Sequence, residues 1–291
     1  MQNPTDKEVF YQKYRGNPYL LSLREMKRNK PLVEVKVATP YDKYLTVKSL
    51  QSALDRLPEV GTHVEASNLI RQHIRKEMAS APADKPVIIA LAEMHDEDLA
   101  VTGAMSTLHL LEPHSQKKYL AELTPRRVAR FQRDEAEERR AAFQAAEAAG
   151  TGFTTTDMPV HPSLARALTN CTYALEKGFD IEGMDTLHAS ASSQDAREAA
   201  MVENIAREAR EASVTVVSTG RVHLPYLHEK LSRNFHVIAV MHAAMPEKGD
   251  HEALKRVSYG LAKQDQILML RPSSELGQEP IDAIELQRRF T

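Results

Sequence analysis

The sequence predicts an α/β fold in which a mostly parallel central sheet is flanked by helices. Residues 86–91 form a continuous apolar run, which is typical of a strand that is buried on both faces in a parallel sheet. In the last third of the chain, strand-like and helix-like segments alternate, and this order places neighbouring strands parallel. With 42 % hydrophobic residues among 291, the chain can bury a sizeable core.

The N-terminal segment, residues 1–80, is predicted to be mixed in structure and to pack on the core. Alternating apolar and polar residues at 32–37 predict a strand. Helical periodicity follows at 46–57 and again at 65–79, with Pro58 and Gly61 between the two helices.

Residues 81–291 are predicted to form the α/β domain itself, with a helical insertion at about 98–178 that could cover the sheet edge as a lid. The composition favours helices over three stretches of this insertion. They are residues 98–111, 116–149 and 161–177.

The remainder of the chain supplies most of the predicted sheet. Strands are predicted at residues 179–185, 214–219, 235–241 and 266–270, and helices at 195–212 and 224–231.

Composition also limits the function classes. Basic (38) and acidic (40) residues nearly balance, which argues against a nucleic-acid or membrane binder driven by overall charge. The longest apolar stretch is far shorter than the roughly 20 residues that cross a bilayer, and no signal-peptide pattern is seen. We therefore expect a cytoplasmic protein, although export without a signal peptide would leave the same sequence pattern.

The sequence contains no pattern for several familiar catalytic sites. Its single cysteine, Cys171, cannot form an intramolecular disulfide or a thiolate zinc cluster, and its apolar helical surroundings predict a buried, unreactive side chain. The chain also lacks the Gly-X-Ser-X-Gly elbow of serine hydrolases, a phosphate-binding loop and a dinucleotide-binding glycine motif.

Polar residues follow three of the predicted strands, where a parallel sheet binds its ligands. After the first strand come Glu93, His95 and Asp96, and in extended backbone Glu93 and His95 share one face. A carboxylate beside an imidazole can bind a metal or act as a general base, although such a triplet also arises by chance.

The second and third strand ends carry further candidates. Asp185 ends its strand and His188 lies in the loop beyond, where both residue types also serve as turn or cap residues. Gly220 ends the third strand and brings His223 to the start of the next helix, with Tyr226 one turn later. A histidine there could instead cap the helix.

The helix between these two strand ends carries a cation in its first turn. Arg197, Met201 and Asn204 are spaced i, i+4, i+7 and share one face. The helix dipole disfavours a cation in the first turn, so Arg197 is expected either to face an anion or to be solvated.

Together these pieces resemble the superfamily of the TraB and TIKI proteins, the haem-associated ChaN proteins and the erythromycin esterases. The first motif is residues 92–95, in which Ala92 stands where the family has glycine. The central motif is Arg197 with residues 201–205, and the last is residues 220–224. The resemblance extends from about residue 85 to about residue 245.

The resemblance implies a hydrolase of peptide, ester or lactone bonds acting on a small molecule or peptide. In one version Glu93, His95 and His223 bind a divalent ion (Zn, Mn or Co) that activates water. In another, Glu93 orients His95, which deprotonates water directly. Arg197 would stabilise the oxyanion. Five further residues would hold these side chains in place by hydrogen bonds: Asp96, Asp185, His188, Asn204 and Tyr226.

Two alternatives stay open on the same residues. The protein could bind haem without turnover, with Met94 or Tyr226 near the strand ends. It could also be a catalytically silent adaptor that binds a protein partner through the charged helices of residues 116–149.

Overall fold

The structure is a computed structural model of the chain. It describes residues 47–57, 59–93, 98–151, 161–186, 193–243, 251–273, 276, 281 and 283–288. These residues belong to one compact unit, Pro40–Thr291.

Helices and strands alternate along most of the described chain. The helices are α1 (Val47–Leu54), α2 (His63–Ala79), α3 (Leu99–Leu110), α4 (Pro125–Asp134), α5 (Ala136–Ala149), α6 (Pro162–Glu176), α7 (Gln194–Ala209), α8 (Leu224–Leu231), α9 (His251–Ala262) and α10 (Ala283–Arg288). The strands are β1 (Glu59–Val60), β2 (Val87–Glu93), β3 (Lys117–Ala121), β4 (Asp180–Gly183), β5 (Val214–Gly220), β6 (His236–His242) and β7 (Ile267–Pro272).

The seven strands form one sheet in the order β1-β7-β6-β2-β5-β3-β4, and each pairing between the described strands is parallel. The predicted α/β fold with a parallel central sheet flanked by helices is therefore confirmed. β2 lies in the middle, between β5 and β6, which explains why its sequence is apolar on both faces: Ile88 and Ile89 are both fully buried.

Helices pack on both faces of the sheet. On one face, α2, α3 and α6 bury their apolar residues against alternate residues of the strands, such as Ile89 and Leu91. On the other face, α1, α7, α8 and α9 pack against the intervening residues, such as Ile88 and Ala90. Loops that follow the strands are thus left at the sheet edge, where a site can form.

The structure corrects one secondary-structure prediction. Residues 116–149 were expected to be helical, but Lys117–Ala121 is a strand that pairs with β5 on one side and β4 on the other. Lys and Ala residues favour helices locally, whereas the sheet pairing involves partners distant in sequence and overrides that preference.

The charged stretch that remains forms two helices, α4 and α5, that meet at Glu135. Glu135 pairs with Arg127 at 2.8 Å and with Arg139 at 3.7 Å. These charges therefore interact within the chain. The adaptor role of this stretch remains a prediction.

The N-terminal part of the described chain is integrated into the sheet unit. β1 pairs with β7 at the sheet edge. Thr62 and Glu65 form a capping box that starts α2. The strand predicted at 32–37 lies outside the described residues.

Cys171 lies on α6 and is fully buried, as predicted. Burial raises the pKa of its thiol to about 12, so the nucleophilic thiolate is disfavoured. Among the described helices, none combines the length and the apolar character needed to cross a membrane.

A buried histidine joins α8 to α9. Nδ1 of His228 lies 2.9 Å from the hydroxyl of Tyr259, and only 4 % of His228 is exposed. Burial, reinforced by the positive charge of Lys263, lowers the pKa of His228 to about 4.

We expect His228 to make the protein less stable in acid. Its folded-state pKa lies below the ordinary value of 6.5, so the neutral ring favours the folded state. This stabilisation is complete above pH 6.5 and is lost as the pH falls toward 4, a change of about 3 kcal/mol. Urea unfolding across this range should show a smaller loss of stability in His228→Phe than in the wild type. The exposed His114→Asn variant should follow the wild type, and an equal loss in His228→Phe would contradict the prediction.

Candidate active site

The carboxyl ends of four strands lie side by side at one edge of the sheet. Glu93 of β2 is opposite Gly220 of β5. Ala121 of β3 is opposite both Ser218 of β5 and Gly183 of β4. Parallel sheets bind ligands beyond these ends, so the residues that follow the strands are the candidates for a site.

Glu122 directly follows β3 and lies at the centre of this edge. Its Oε1 accepts a hydrogen bond from the Arg197 guanidinium at 2.5 Å and lies 3.3 Å from Nε2 of His223. Its Oε2 accepts hydrogen bonds from the Thr219 hydroxyl at 3.0 Å and the Gly220 amide at 2.6 Å. Glu122 therefore connects the end of β5 to α7 and to the imidazole.

His223 lies between two carboxylates at the start of α8. Its Nδ1 is 2.9 Å from Oε1 of Glu198, its Nε2 faces Glu122, and only 2 % of the side chain is exposed. Burial by itself would lower the pKa of His223, but the hydrogen bonds and charges of the two glutamates outweigh it and raise the pKa. The site thus favours the protonated ring, in which both nitrogens donate.

Arg197 binds two carboxylates. Its Nε and Nη2 donate to Oδ2 of Asp185 at 3.1 and 2.7 Å, and Nη2 also donates to Glu122. Asp185 is fully buried. Burial lowers the pKa of Arg197, but its bonds to the two carboxylates prevail and raise it. The structure therefore confirms the first of the two environments expected for Arg197, in which the guanidinium faces an anion.

Glu198 is held from its own helix. Ser193 caps α7 by accepting a hydrogen bond from the amide of Ala196 at 3.2 Å. Gln194 donates to Oε1 of Glu198 at 2.7 Å, as their i, i+4 spacing allows. The same Glu198 oxygen contacts His223, so α7 orients the imidazole through Glu198.

Asn204, two turns further along α7, fixes the segment that follows β4. Its Nδ2 donates to the carbonyl of Met184 at 2.9 Å and to Oγ1 of Thr186 at 3.3 Å, and its Oδ1 accepts from Arg207 at 3.1 Å. Asp185 lies between the two bonded residues, so Asn204 helps to position that carboxylate.

Tyr226 lies one turn after His223 and is partly exposed. The ammonium of Lys230 lies 5.3 Å from its ring centroid. Burial raises the pKa of Tyr226, and the nearby charges of Glu198 and Asp195 add to this effect. Tyr226 is therefore within electrostatic range of Glu198.

Part of the predicted site lies outside the described residues. His95, Asp96 and His188 lie there, as does Met94. For Glu93 the structure describes only the backbone, which lies opposite Gly220. The meeting of Glu93 and His95 with His223 therefore stays a prediction.

The sequence did not reveal Glu122 and Glu198, the two carboxylates that face the ring nitrogens of His223. Glu122 follows a strand that was hidden in a helix-favouring stretch, so it was not recognised as a strand-end residue. Glu198 is adjacent to Arg197 in the first turns of α7, where a carboxylate is favoured by the helix dipole. The short apolar run at residues 119–121 and the acidic residue after it were the available signals.

Gly183 ends β4 at a place where the backbone is crowded. A Cβ atom there would lie 2.6 Å from the carbonyl oxygen of Leu123 and 2.7 Å from the nitrogen of Pro125. Because these are backbone atoms at the loop between β3 and α4, the clash cannot be relieved by a side-chain rotation.

We expect Gly183→Ala to lower the free energy of unfolding by about 1–3 kcal/mol, since overpacking forces backbone shifts. Gly103→Ala is the matched control, because the nearest contact to its added methyl is 3.9 Å away, at Ile70. In the middle of α3 an alanine should stabilise by up to about 1 kcal/mol. Urea denaturation compares the two variants, and a neutral Gly183→Ala would contradict the prediction.

A metal site at the strand ends would require ligands in addition to Glu122, Glu198 and His223. Among the residues that the structure describes, no three His, Cys, Asp or Glu side chains are arranged to hold an ion. The donor chemistry nevertheless fits. Glu198 holds Nδ1 of His223, as carboxylates do for metal-bound histidines, and when the ring is neutral Nε2 and the facing Oε1 of Glu122 are ordinary ligand atoms.

Comparison with known proteins gives little to add to this geometry. No family model matches the sequence, and no curated protein matches it. Among solved structures, the chain is similar to the signal recognition particle 54 kDa protein of Aeropyrum pernix K1 in complex with GDP, with 11 % identity and a TM-score of 0.34. That match covers 99 % of this chain and 67 % of the other. A likeness at this level says nothing about function, which has to be argued from the site.

Proposed function

We propose that the protein is a hydrolase of ester or peptide bonds whose site lies at the carboxyl edge of the sheet. The observation that carries the proposal is the buried imidazole of His223, with a carboxylate within hydrogen-bond reach of each ring nitrogen. Burying ionised groups costs folding free energy, and such clusters occur preferentially where chemistry needs them.

His223 is the proposed general acid. Since Glu122 and Glu198 favour its protonated form, the ring can donate a proton to the oxygen or nitrogen that leaves the substrate. Glu93 and His95, which the family resemblance assigns to the same edge, would accept the proton of the attacking water. In each turnover Glu93 and His95 thus accept one proton from water, and His223 donates one to the leaving group.

Arg197 receives a different role in this proposal from the one expected from sequence. Its guanidinium is already bound to Asp185 and Glu122. We assign to it the positioning of these carboxylates, through which it acts on His223. A contact to the substrate oxyanion would add to this role, because Arg197 is 19 % exposed.

A divalent ion belongs to a second version of the proposal, in which the neutral ring of His223 is a ligand and not the general acid. Glu93, His95 and His223, joined by Glu122, would hold it. When bound, the ion would lower the pKa of a water molecule toward neutrality. Metal content of the purified protein, and activity after treatment with a chelator, distinguish this version from one without metal.

The experiment compares Glu198→Gln with Glu203→Gln on a panel of p-nitrophenyl esters and short peptides. Glu203 is an exposed residue on the same helix, so its variant controls for the loss of a charge from α7. We expect Glu198→Gln to lose at least about tenfold in kcat, as expected when a positioned acid–base group is disturbed. Equal turnover in the wild type and Glu198→Gln, or a matching loss in Glu203→Gln, would refute the proposed site.

A further inference from the structure

A second group of charged side chains lies at the opposite edge of the sheet, where the parallel strands begin. Lys117 is the first residue of β3, whereas Glu122 of the candidate active site follows the end of that strand. The extended chain between these two residues spans about 17 Å. We name the group the amino-edge cluster. Its side chains come from α2, from α3 and the loop after it, from β3 and from the end of α6: Arg71, His109, Glu112, Lys117, Tyr173 and Lys177.

Glu112 supplies the carboxylate of the amino-edge cluster. Nζ of Lys177 lies 3.3 Å from Oε2 of Glu112, and Nδ1 of His109 lies 3.7 Å from the same oxygen. Nζ of Lys117 donates to the backbone carbonyl of Glu112 at 2.5 Å. Because the side chain of Glu112 is 47 % exposed, solvent screens its attraction for these groups. The carboxylate therefore offsets only part of the positive charge around it.

The two lysines are shielded from solvent to a degree that is unusual for this residue type. Lys117 is 9 % exposed and the side chain of Lys177 is 13 % exposed. Their ammonium groups lie 5.0 Å from the ring centroid of Phe179 and 5.4 Å from that of Tyr173, respectively. Burial lowers the pKa of Lys117, an effect that Glu112 opposes and the charge of Lys177 reinforces. The two ammonium groups thus repel each other in partly buried positions.

Arg71 brings a third positive charge from α2. Burial lowers the pKa of Arg71, and the charge of Arg75 lowers it further. Burial also lowers the pKa of His109, and the charges of Lys177 and Arg71 act in the same direction, so the neutral imidazole is favoured. With a neutral imidazole, three cations share one carboxylate, which leaves two positive charges in excess.

Tyr173 provides an independent observation. It is only 1 % exposed, and in the part of the chain that the structure describes its hydroxyl forms no hydrogen bond. Its ring packs edge-on against Phe143 at 5.9 Å. Burial raises the pKa of the phenol, and the charges of Glu112, Glu147 and Arg71 also act on it. A buried donor of this kind, beside an excess of positive charge, suits an anionic acceptor, because leaving it unbonded costs folding free energy.

We propose that the amino-edge cluster is a binding site for a doubly charged oxyanion, the phosphate group. A phosphate monoester carries a charge of about −1.5 to −2 at pH 7, which matches the excess of positive charge in the cluster. Its oxygens can accept hydrogen bonds from ammonium and guanidinium groups that approach from several directions, whereas a carboxylate offers one charge in one plane. The site lies at the edge opposite the candidate active site, so the inference does not depend on the proposed function.

Isothermal titration calorimetry of the full chain with inorganic phosphate, at an ionic strength held constant with sodium chloride, tests this site. The wild type should bind one phosphate. Lys177→Met should weaken the affinity at least about tenfold, as expected for the loss of a charge-assisted hydrogen bond. Lys76→Met removes a charge that is 78 % exposed on α2 and should bind as the wild type does. No binding by the wild type, or equal losses in the two variants, would overturn the proposal.

Tyr173→Phe separates ligand binding from folding, since it removes only the hydroxyl. In urea without phosphate this variant should be at least as stable as the wild type, because it removes a buried donor that has no partner. Its phosphate affinity should nevertheless fall about threefold or more. Unchanged affinity in Tyr173→Phe would overturn the proposed site.

Two further measurements define the location and the ligand. His223→Gln, altered at the opposite edge, should bind phosphate as tightly as the wild type, and a loss there would place the anion at the candidate active site instead. Methyl phosphate that binds as tightly as inorganic phosphate would support a phosphate monoester as the ligand, and weaker binding would support free phosphate. Acetate that binds as tightly as phosphate would contradict the selection of a doubly charged anion.

Discussion

The Arg197→Met variant should unfold with a free energy about 3–5 kcal/mol below that of the wild type, because it removes the cation from a buried ion pair. Asp185 is fully buried and accepts two hydrogen bonds from this guanidinium, and Glu122, 10 % exposed, accepts a third. Methionine fills a similar volume but leaves both carboxylates without that partner.

Urea denaturation of two further variants identifies the cause. The double variant Arg197→Met with Asp185→Asn should be more stable than Arg197→Met, since the amide removes the buried negative charge. Arg210→Met, at an exposed position just after α7, should change stability by less than about 0.5 kcal/mol. A loss below about 1 kcal/mol in Arg197→Met would show that the pair is not a structural requirement.

The His223→Gln variant should lose at least about 100-fold in kcat on the ester and peptide panel, the usual contribution of a general acid. Glutamine can still form hydrogen bonds to Glu122 and Glu198, but it cannot transfer a proton. The variant should therefore remain folded, which circular dichroism can verify.

The pH profile provides a second reading of the same group. The pKa of His223 is raised above its ordinary value of 6.5, so its proton is present below that value. Activity that depends on the protonated ring should then fall as the pH rises through the raised pKa. The pH profile of the residual activity of His223→Gln should lack this alkaline limb. The exposed His114→Asn variant should keep the wild-type turnover and the alkaline limb. A folded His223→Gln variant with wild-type turnover would contradict the general-acid role.

Much of the fold was predictable because its signals are local. The apolar run of β2, the β-branched residues of β5 and the capping residues of α2 and α7 each specify an element through nearby residues. β3 was not predictable in this way. Its residues prefer helix, and only the hydrogen bonds to β5 and β4 make it a strand.

The same distinction between local signals and contacts distant in sequence applies to the candidate site. By itself the sequence determined an α/β chain with polar residues that follow its strands, including Asp185 and His223, and with Arg197 in the first turn of a helix, since strand order and helix periodicity are readable from neighbours. Only the tertiary structure decided that Glu122 joins Arg197 to His223 and that Glu198 holds the ring. Those contacts join residues up to 101 positions apart, and no local pattern specifies which distant carboxylate a buried cation will meet.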